Sequence, residues 1–298
     1  MLSIVVPVYL TDTQGFALFA RCLDSLCQQW NGDFEVIVVD DGSPMAYQPE
    51  RLKNKAPRRS TFIRLPENQG RAVARNRGWQ RARAPWILFL DADMALQAEA
   101  VGAHLDFHRA HGFGWIAQGH IVGQQYLDQE PVESVWTDAS QAFFATGQVS
   151  IAREALIKTG GFDEDFTAYG WEDLELGLRL KQLGYRQKKL KTAISFHFEP
   201  PFSVHDAEDW TKAVDKEQQR AHGALLFLQK HPQAKYLCQA SAFDAQCAHL
   251  LLGALPTRPF LQGLVALQKR YPKMALALYR GLLHQYYVQA LNDLKGAS

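Results

Sequence analysis

Three short apolar runs in the first third of the chain each end in polar or acidic residues. They cover residues 3–9, 34–39 and 86–90, and the last reads Trp-Ile-Leu-Phe-Leu. Uninterrupted apolar runs of this length are typical of strands that are buried on both faces of a sheet. The pattern therefore predicts three strands of a buried, largely parallel sheet.

The stretch between the first two runs has helical periodicity. Its apolar positions recur every three or four residues, and Asp12 or Thr13 can cap its start. The stripe consists of Phe16, Phe19, Leu23, Leu26 and Trp30. A strand, a helix and a second strand form a right-handed unit with parallel strands, so both strands end at the same edge of the sheet. We therefore expect an α/β fold in which Tyr9, Asp40 and Asp41 lie close together.

Two carboxylates follow the third run, at Asp91 and Asp93. Open α/β sheets bind their ligands at the carboxyl ends of the strands. Carboxylate oxygens suit divalent cations, which often share their coordination with phosphate groups. The pair predicts a site for a metal ion and a phosphorylated ligand. The alternative is an acidic turn that caps the next helix.

A basic stretch at residues 68–78 places Arg71 and Arg75 one turn apart, in a helix that starts at Asn68 or Gly70. Cations in the first turns of a helix oppose its dipole, so the arrangement is unfavourable unless an anion binds them. A diphosphate would supply that anion, because arginine and helix N-termini both bind phosphate oxygens. The alternative is a solvated basic face.

A second acidic group lies within residues 162–180, where Glu172 and Asp173 open a helix directly after Trp171. Acids are favourable at the start of a helix, which is one explanation of their position. An aromatic residue beside a carboxylate pair is also typical of a sugar site, because aromatic faces stack on sugar rings and carboxylates accept hydroxyl hydrogens. His197 ends a later strand and is a candidate metal ligand, with a structural histidine as the alternative.

Three histidines share one face of a helix predicted over residues 94–111. His104, His108 and His111 have a spacing that a metal site could use. The interpretation we favour is a surface stripe.

Composition and charge exclude some classes of protein. Of the 298 residues 47% are apolar, and the formal net charge of +1 excludes a strongly basic nucleic-acid binder. The four cysteines lack metal-ligand spacing and indicate a reducing compartment. The first residues predict a strand rather than a signal peptide, and no apolar run is long enough to predict a transmembrane helix. We expect a cytoplasmic protein.

The character of the sequence changes near residue 235. We expect an α/β domain over residues 1–235 and a helical region over residues 236–298, with helices at 236–255, 260–271 and 274–294. Packing on the main domain is the expected role of these helices, with a homodimer contact or a peripheral membrane contact as alternatives. Residues 124–140 are long for a loop without periodicity, so we expect a mobile lid there.

Taken in order, these motifs resemble glycosyltransferase family 2 with the GT-A fold, a Rossmann-like fold of nucleotide-diphospho-sugar transferases. The matching pieces are residues 4–9, 40–43, 68–78, 91–93, 160–164 and 170–173, and His197. The Gly-Trp-Glu-Asp block and the segment His-Phe-Glu-Pro-Pro look most like bacterial chondroitin- and hyaluronan-type polymerases and the β-galactosyltransferase branch.

The resemblance implies a set of donor-binding residues. They are Pro7, Tyr9, Asp41, Arg71, Arg75, Asp91 and Trp171. Pro7, Tyr9 and Asp41 would hold the uracil of a UDP-sugar, with Asp41 accepting from the ring N–H. Arg71 would lie near the base or the diphosphate with Arg75 in support, and Asp91 would contact the ribose. Gln148 lies where many members carry Asn near the donor sugar, so the identity of the sugar is left open.

The resemblance also implies the metal and the catalytic groups. Asp93 and His197 would ligate Mn²⁺ or Mg²⁺, and the imidazole favours Mn²⁺. Asp173 would be the catalytic base, and Glu172 would orient the acceptor. The implied function is an inverting, metal-dependent transfer of a hexose or N-acetylhexosamine from a UDP-sugar to a glycan or lipid-linked acceptor. The setting would be the synthesis of a bacterial surface polysaccharide at the inner face of the membrane.

Two other functions remain alternatives. One is a catalytically inactive relative that still binds a UDP-sugar. The other is a sugar-phosphate nucleotidyltransferase, which should carry a glycine-rich segment after the first strand, whereas residues 10–15 contain one glycine. A dinucleotide-binding domain fits less well, because no Gly-x-Gly-x-x-Gly motif follows that strand.

Overall fold

The computed structural model describes residues 1–29, 33–124, 143–198, 207–235, 237, 263–264, 266–267 and 270–296. The chain forms two compact units. The first joins Met1–Thr167 to Glu172–Pro200, and the second joins Ala168–Trp171 to Pro201–Ser298. Residues 201–235, which the sequence analysis assigned to the α/β domain, belong to the second unit. These units are defined by packing, and the domain boundary near residue 235 stays a prediction.

Within the described residues, the first unit is built on one mixed sheet of eight strands, in the order β3-β2-β1-β4-β7-β6-β8-β5. The strands are β1 (Leu2–Val8), β2 (Phe34–Asp40), β3 (Ser60–Arg64), β4 (Trp86–Leu90), β5 (Met94–Leu96), β6 (Trp115–Gln124), β7 (Gln148–Ala152) and β8 (Arg186–Phe198). Strands β1, β2 and β4 are mutually parallel, as predicted, and β3 runs parallel to β2. Strand β7 runs antiparallel to β4 and β6, and β5 runs antiparallel to β8.

Helices cover both faces of this sheet. They are α1 (Thr13–Cys27), α2 (Arg71–Arg81), α3 (Ala100–His111), α4 (Arg153–Thr159) and α5 (Glu172–Gln182). Residues of α1 and α3 join one apolar cluster, and residues of α2, α4 and α5 join the other. Short 3₁₀ turns lie at Met45–Tyr47 and Pro49–Lys55. A two-faced α/β sheet is the predicted fold class.

The start of each of the first two helices matches the sequence analysis. Asp12 caps α1 by accepting from the Gly15 N–H at 2.7 Å, and Phe19, Leu23 and Leu26 of the predicted stripe are buried. Trp30 lies outside the described residues. Helix α2 begins after Gly70, whose φ of 92° favours glycine.

Helix α2 lies very close to the sheet at one glycine. A Cβ on Gly78 would lie 2.3 Å from Val5 Cγ1, so only glycine fits without a shift. This close approach sets the distance between the C-terminal half of α2 and the middle of β1.

The single helix predicted over residues 94–111 is wrong at its start. Met94–Leu96 forms strand β5, because it pairs with the end of β8, and the helix begins at Ala100. The predicted surface stripe of histidines is wrong as well. His104 and His108 are buried, and a ring nitrogen of each lies 2.7 Å from Ser150 Oγ, whereas His111 is exposed. Histidine spacing fixes the helix face, but it does not say whether that face meets the sheet.

The second unit contains α6 (Ala207–Lys230), a 3₁₀ turn at Pro232–Ala234, and α7 (Pro272–Gly296). Trp210 of α6 packs edge-on against Tyr279 and Tyr286 of α7. Helix α7 confirms the helix predicted over residues 274–294. The two helices predicted between 236 and 271 fall largely outside the described residues, as does the predicted lid apart from its first residue.

Among the helices of the described residues, none is both long enough and apolar enough to cross a membrane.

Candidate active site

The acidic residues predicted from the strand ends meet at the carboxyl edge of the sheet. The backbone N–H of Asp41 donates to the Val8 carbonyl at 2.8 Å, which places Asp41 beside the end of β1 and next to Tyr9. Tyr9 is 48% exposed, and Pro7 lies half-buried within β1 opposite Val39. An exposed phenol beside a buried carboxylate is suited to bind a planar polar ring.

Asp41 connects β2 to the start of α2. Its two carboxylate oxygens accept from the backbone N–H groups of Gln69 and Gly70, at 2.7 and 3.0 Å. Burial raises the pKa of this carboxyl, and the two hydrogen bonds counteract that rise. Asp41 thereby fixes the loop before α2, and its remaining lone pairs can accept a further hydrogen bond.

Strand β5 brings Asp93 and His197 together from distant parts of the sequence. Met94 lies opposite His197 in the β5–β8 pairing, and His197 Nε2 lies 3.2 Å from Asp93 Oδ2. Burial would raise the pKa of Asp93, but the hydrogen bond and charge of His197 hold it below its usual value. The two predicted metal ligands are therefore neighbours, with the carboxylate charged.

The chemistry of Asp93 and His197 fits a divalent metal. One carboxylate oxygen and one imidazole nitrogen are ligands that Mn²⁺ accepts, and both side chains are partly exposed. Among the described residues, no group of three or more His, Cys, Asp or Glu side chains is arranged to hold a metal. The pair accordingly fits a metal that takes its other ligands from substrate and water.

Arg75 lies beneath the edge and binds two carboxylates at once. Its Nη1 donates to Glu172 Oε1 at 2.8 Å, and its Nη2 donates to Asp91 Oδ1 at 3.0 Å. Burial alone would lower the pKa of Arg75, but the two carboxylates raise it above its ordinary value. The anions that stabilise this arginine are thus side chains of the chain itself. This differs from the diphosphate contact expected from the sequence.

Arg71 lies one turn earlier and has a different environment. Its side chain is 42% exposed, and its Nη1 lies 3.9 Å from Glu172 Oε1. Of the two predicted arginines, Arg71 is the one that can reach a ligand at the surface.

Glu172 and Asp173 form the second carboxylate pair. Burial, followed by the negative charge of Glu172, raises the pKa of Asp173 to about 7, although Arg75 opposes the rise. A carboxyl group with a pKa near neutrality can accept a proton during turnover. Glu172 Oε2 is buried and has no hydrogen-bond partner in the described part of the chain. The pair offers one proton acceptor and one hydrogen-bond acceptor.

Trp171 belongs to the second unit and packs on Phe227, with ring centroids 5.1 Å apart. Its φ of 77° is unusual for a residue with a side chain. The stacking of Trp171 on a sugar stays a prediction.

Asn76 is a structural residue that the sequence analysis did not single out. Its side-chain amide donates to the Phe162 carbonyl and to Glu164 Oε1, and its oxygen accepts from Phe162 N–H and Trp79 Nε1. These bonds tie α2, one residue after Arg75, to the turn that follows α4. The sequence offered one indication of this role, because Asn76 directly follows Arg75 on the predicted helix.

Two family models match the chain. The model described as glycosyl transferase family 2 matches residues 3–162. The model described as the N-terminal domain of galactosyltransferase matches residues 133–201. The first match covers more than half of the 298 residues and includes Asp41, Arg75, Asp91 and Asp93.

Curated relatives extend the match in sequence. Validoxylamine A glucosyltransferase of Streptomyces hygroscopicus subsp. limoneus is 28% identical, over 78% of this chain and 57% of its own length. Hyaluronan synthase of Pasteurella multocida is 31% identical, over 61% of this chain and 23% of its own length. The chain therefore spans little more than half of the first relative and about a quarter of the second.

Solved structures show the same fold. The mannosyltransferase PcManGT from Pyrobaculum calidifontis, in complex with GDP-Man and Mn²⁺, aligns with 98% of this chain and 87% of its own, with a TM-score of 0.61 and 17% identity. A TarS fragment from S. aureus, in complex with UDP-GlcNAc, aligns with all of this chain and 92% of its own, with a TM-score of 0.57 and 18% identity. These alignments confirm the predicted GT-A fold.

Proposed function

The chain belongs to glycosyltransferase family 2 and is a glycosyltransferase, and from this premise we propose that it transfers a hexose or N-acetylhexosamine from a UDP-sugar to an acceptor hydroxyl, with inversion at the anomeric carbon. The observation that carries the proposal is the position of Arg75. It joins Asp91, on the predicted donor side, to Glu172, which is adjacent to the predicted base Asp173.

The donor is proposed to bind along the ends of β1, β2 and β4. The uracil lies between Tyr9 and Asp41, with Pro7 beneath, and Asp91 accepts from the ribose. Arg71 contacts the diphosphate, because its side chain is exposed, whereas the side chain of Arg75 is buried. The TarS structure with bound UDP-GlcNAc supports a uridine nucleotide as the donor of this chain.

Asp93 and His197 are proposed to hold Mn²⁺, or Mg²⁺, against the donor diphosphate. A divalent cation there supplies Lewis-acid neutralisation of the charge that develops on the leaving diphosphate. Asp93 is suited to this task because its pKa lies below the usual value. The mannosyltransferase structure with GDP-Man and Mn²⁺ supports the choice of metal.

Asp173 is proposed to be the catalytic base. As the acceptor oxygen bonds to the anomeric carbon, the bond from that carbon to UDP breaks and the hydroxyl proton passes to the Asp173 carboxylate. One base on the side opposite the leaving group gives a direct displacement with inversion. Glu172 orients the acceptor through Oε2, since this buried oxygen has no described hydrogen-bond partner.

The acceptor is proposed to be a glycan or lipid-linked chain in the synthesis of a bacterial surface polysaccharide. The sequence match to hyaluronan synthase supports a polysaccharide as the product. This role places the chain at the inner face of the membrane, next to lipid-linked intermediates.

The test is the release of UDP from a panel of UDP-sugars, with Mn²⁺ and with a chelator. We expect slow, metal-dependent release from one donor, abolished in Asp93→Ala and strongly reduced in Asp173→Asn. Asp106→Asn is the matched control, because Asp106 is an exposed aspartate on α3. UDP binding without release from any donor, across a range of acceptors, would support the inactive relative. Absence of UDP binding would contradict the proposed donor site.

A further inference from the structure

A cavity of about 490 Å³ lies at the opposite, amino-terminal edge of the sheet. Ile37 and Thr61 line it and face each other in the register of β2 and β3, and Arg81, the last residue of α2, lies at its side. Strand β2 has seven residues, so about 20 Å separate this edge from the edge where Asp41 lies. The cavity is therefore separate from the predicted donor site.

Three guanidinium groups line the cavity, from Arg59, Arg81 and Arg83, against one carboxylate, Glu35. Glu35 Oε1 already accepts from Ser3 Oγ at 2.6 Å and from the backbone N–H of Arg83 at 2.8 Å. The lining thus carries more positive than negative charge.

The three arginines differ in whether a protein carboxylate balances their charge. Arg59 is held at 2.5 Å by Asp33. The side chains of Arg81 and Arg83 form no ion pair with any described residue. Arginine that lines a cavity without a protein anion is suited to bind one from solution, and its planar fork matches phosphate oxygens.

We propose that this cavity binds a phosphoryl group, either as free phosphate or as part of a lipid headgroup. Arg81 and Arg83 bind its oxygens, Arg59 adds positive charge, and Thr61, which also lines the cavity, can donate a further hydrogen bond. The site is independent of the proposed function, because it shares no residue with the donor edge.

The experiment is a calorimetric titration in which inorganic phosphate is added to the full chain. The protein is saturated with UDP beforehand, and no metal is present. Arg81→Gln and Arg83→Gln are compared with Arg77→Gln, which removes the same charge from an exposed position on α2 outside the cavity. We expect a Kd on the order of 1 mM, weakened about tenfold in each cavity variant and unchanged in Arg77→Gln.

A second arm identifies the source of the phosphoryl group. Phosphatidylcholine vesicles with and without phosphatidylglycerol are sedimented with the same three variants. Capture by the anionic vesicles that is lost in Arg81→Gln and Arg83→Gln identifies a lipid headgroup. Phosphate binding without vesicle capture identifies a soluble ligand. Absence of phosphate binding, or an equal loss in Arg77→Gln, would overturn the proposal, whereas UDP affinity reports on the donor site separately.

Discussion

Arg75 and Glu172 form an ion pair of 2.8 Å in which both side chains are only 2% exposed. The same guanidinium reaches Asp91 on the neighbouring strand end. A buried charge that loses its partner is strongly destabilising, because it keeps the cost of desolvation without the compensating attraction. The pair is therefore both a stability element and the link between the two carboxylate groups of the site.

Replacing Arg75 by Met should lower the free energy of unfolding by about 3–5 kcal/mol, because Glu172 would stay buried with only the Arg71 guanidinium, at 3.9 Å, as a described partner. Urea denaturation measures the change. Arg75→Lys should lose less, since an ammonium keeps the charge but lacks the fork that binds two carboxylates. Arg77→Gln, exposed on the same helix, should stay within about 0.5 kcal/mol of the parent. A Met variant as stable as the parent would contradict the assignment.

Asp173→Asn should reduce turnover by about 10²–10⁴-fold with little change in UDP affinity, because it removes the proton acceptor and leaves the donor edge intact. Steady-state kinetics and a UDP titration separate the two effects. Undiminished turnover in a normally folded variant would eliminate Asp173 as the base.

The pH dependence of the parent enzyme follows from the same carboxyl. Its pKa is raised to about 7, and only the deprotonated form can accept a proton. We expect kcat/KM to rise as the pH increases and to level off above about pH 7. A flat profile between pH 5 and 8 would be inconsistent with this role.

The buried histidines predict a loss of stability in mild acid. Burial lowers the pKa of His104 to about 3 and that of His108 to about 4. In the unfolded chain the histidine pKa is about 6.5, so the unfolded chain takes up protons before the folded chain does. The stability that these residues contribute above that pH is therefore lost as the pH falls toward 4. His104→Gln should reduce the difference in unfolding free energy between pH 7 and pH 5, and the exposed His222→Gln should not. Asp173, whose pKa is raised in the folded chain, changes stability with pH in the opposite direction. This contribution is the same in the parent and in both histidine variants, so it cancels when they are compared.

Removing a proposed metal ligand should weaken metal binding. We expect His197→Gln to raise the Mn²⁺ concentration needed for half-maximal binding, measured with UDP present, by at least about tenfold. Asp93→Ala should have a larger effect, because it removes the charged ligand. His222→Gln serves as the control, and identical Mn²⁺ titrations for all three variants would exclude the pair as ligands.

The close approach at Gly78 can be tested by overpacking. Gly78→Ala places a methyl group 2.3 Å from Val5 Cγ1, and should cost about 1–3 kcal/mol in unfolding free energy. Val5→Ala removes the methyl groups that the new Cβ would meet. The double variant should therefore lose less unfolding free energy than the sum of the losses in the two single variants. Strictly additive losses in the double variant would show that the two positions are not coupled.

The sequence predicted the structure well where a single segment holds all the relevant residues, as in an apolar run that ends in acids. Apolar runs ending at Asp41 and Asp91 predicted strand, sheet edge and acidic site together, because parallel strands must end at the same edge. The Asp93–His197 pair depended on the family resemblance, since nothing local relates a residue in a turn to one more than a hundred positions away.

The errors have a common physical cause. The helix of Arg75 offers no anion, so its sequence suggested a diphosphate partner, whereas its two described partners come from the end of β4 and from α5; its role in supporting Arg71 stays a prediction. Met94–Leu96 looked helical until pairing with β8 decided its conformation. His104 looked exposed because histidine is polar, whereas Ser150 satisfies it in the interior. Each outcome was decided by a contact between segments distant in sequence.

The pairing of β5 with β8 also sets an order of assembly. Strands β3, β2, β1 and β4 are neighbours in the sheet and lie within the first 90 residues, so the edge that carries Tyr9 and Asp41 can form early in synthesis. The partner of Asp93 arrives only with the last strand, at His197. A nascent chain released before β8 would carry the strand ends with Tyr9 and Asp41 but lack the imidazole that pairs with Asp93. If Asp93 and His197 bind the metal as proposed, metal loading must follow the completion of β8.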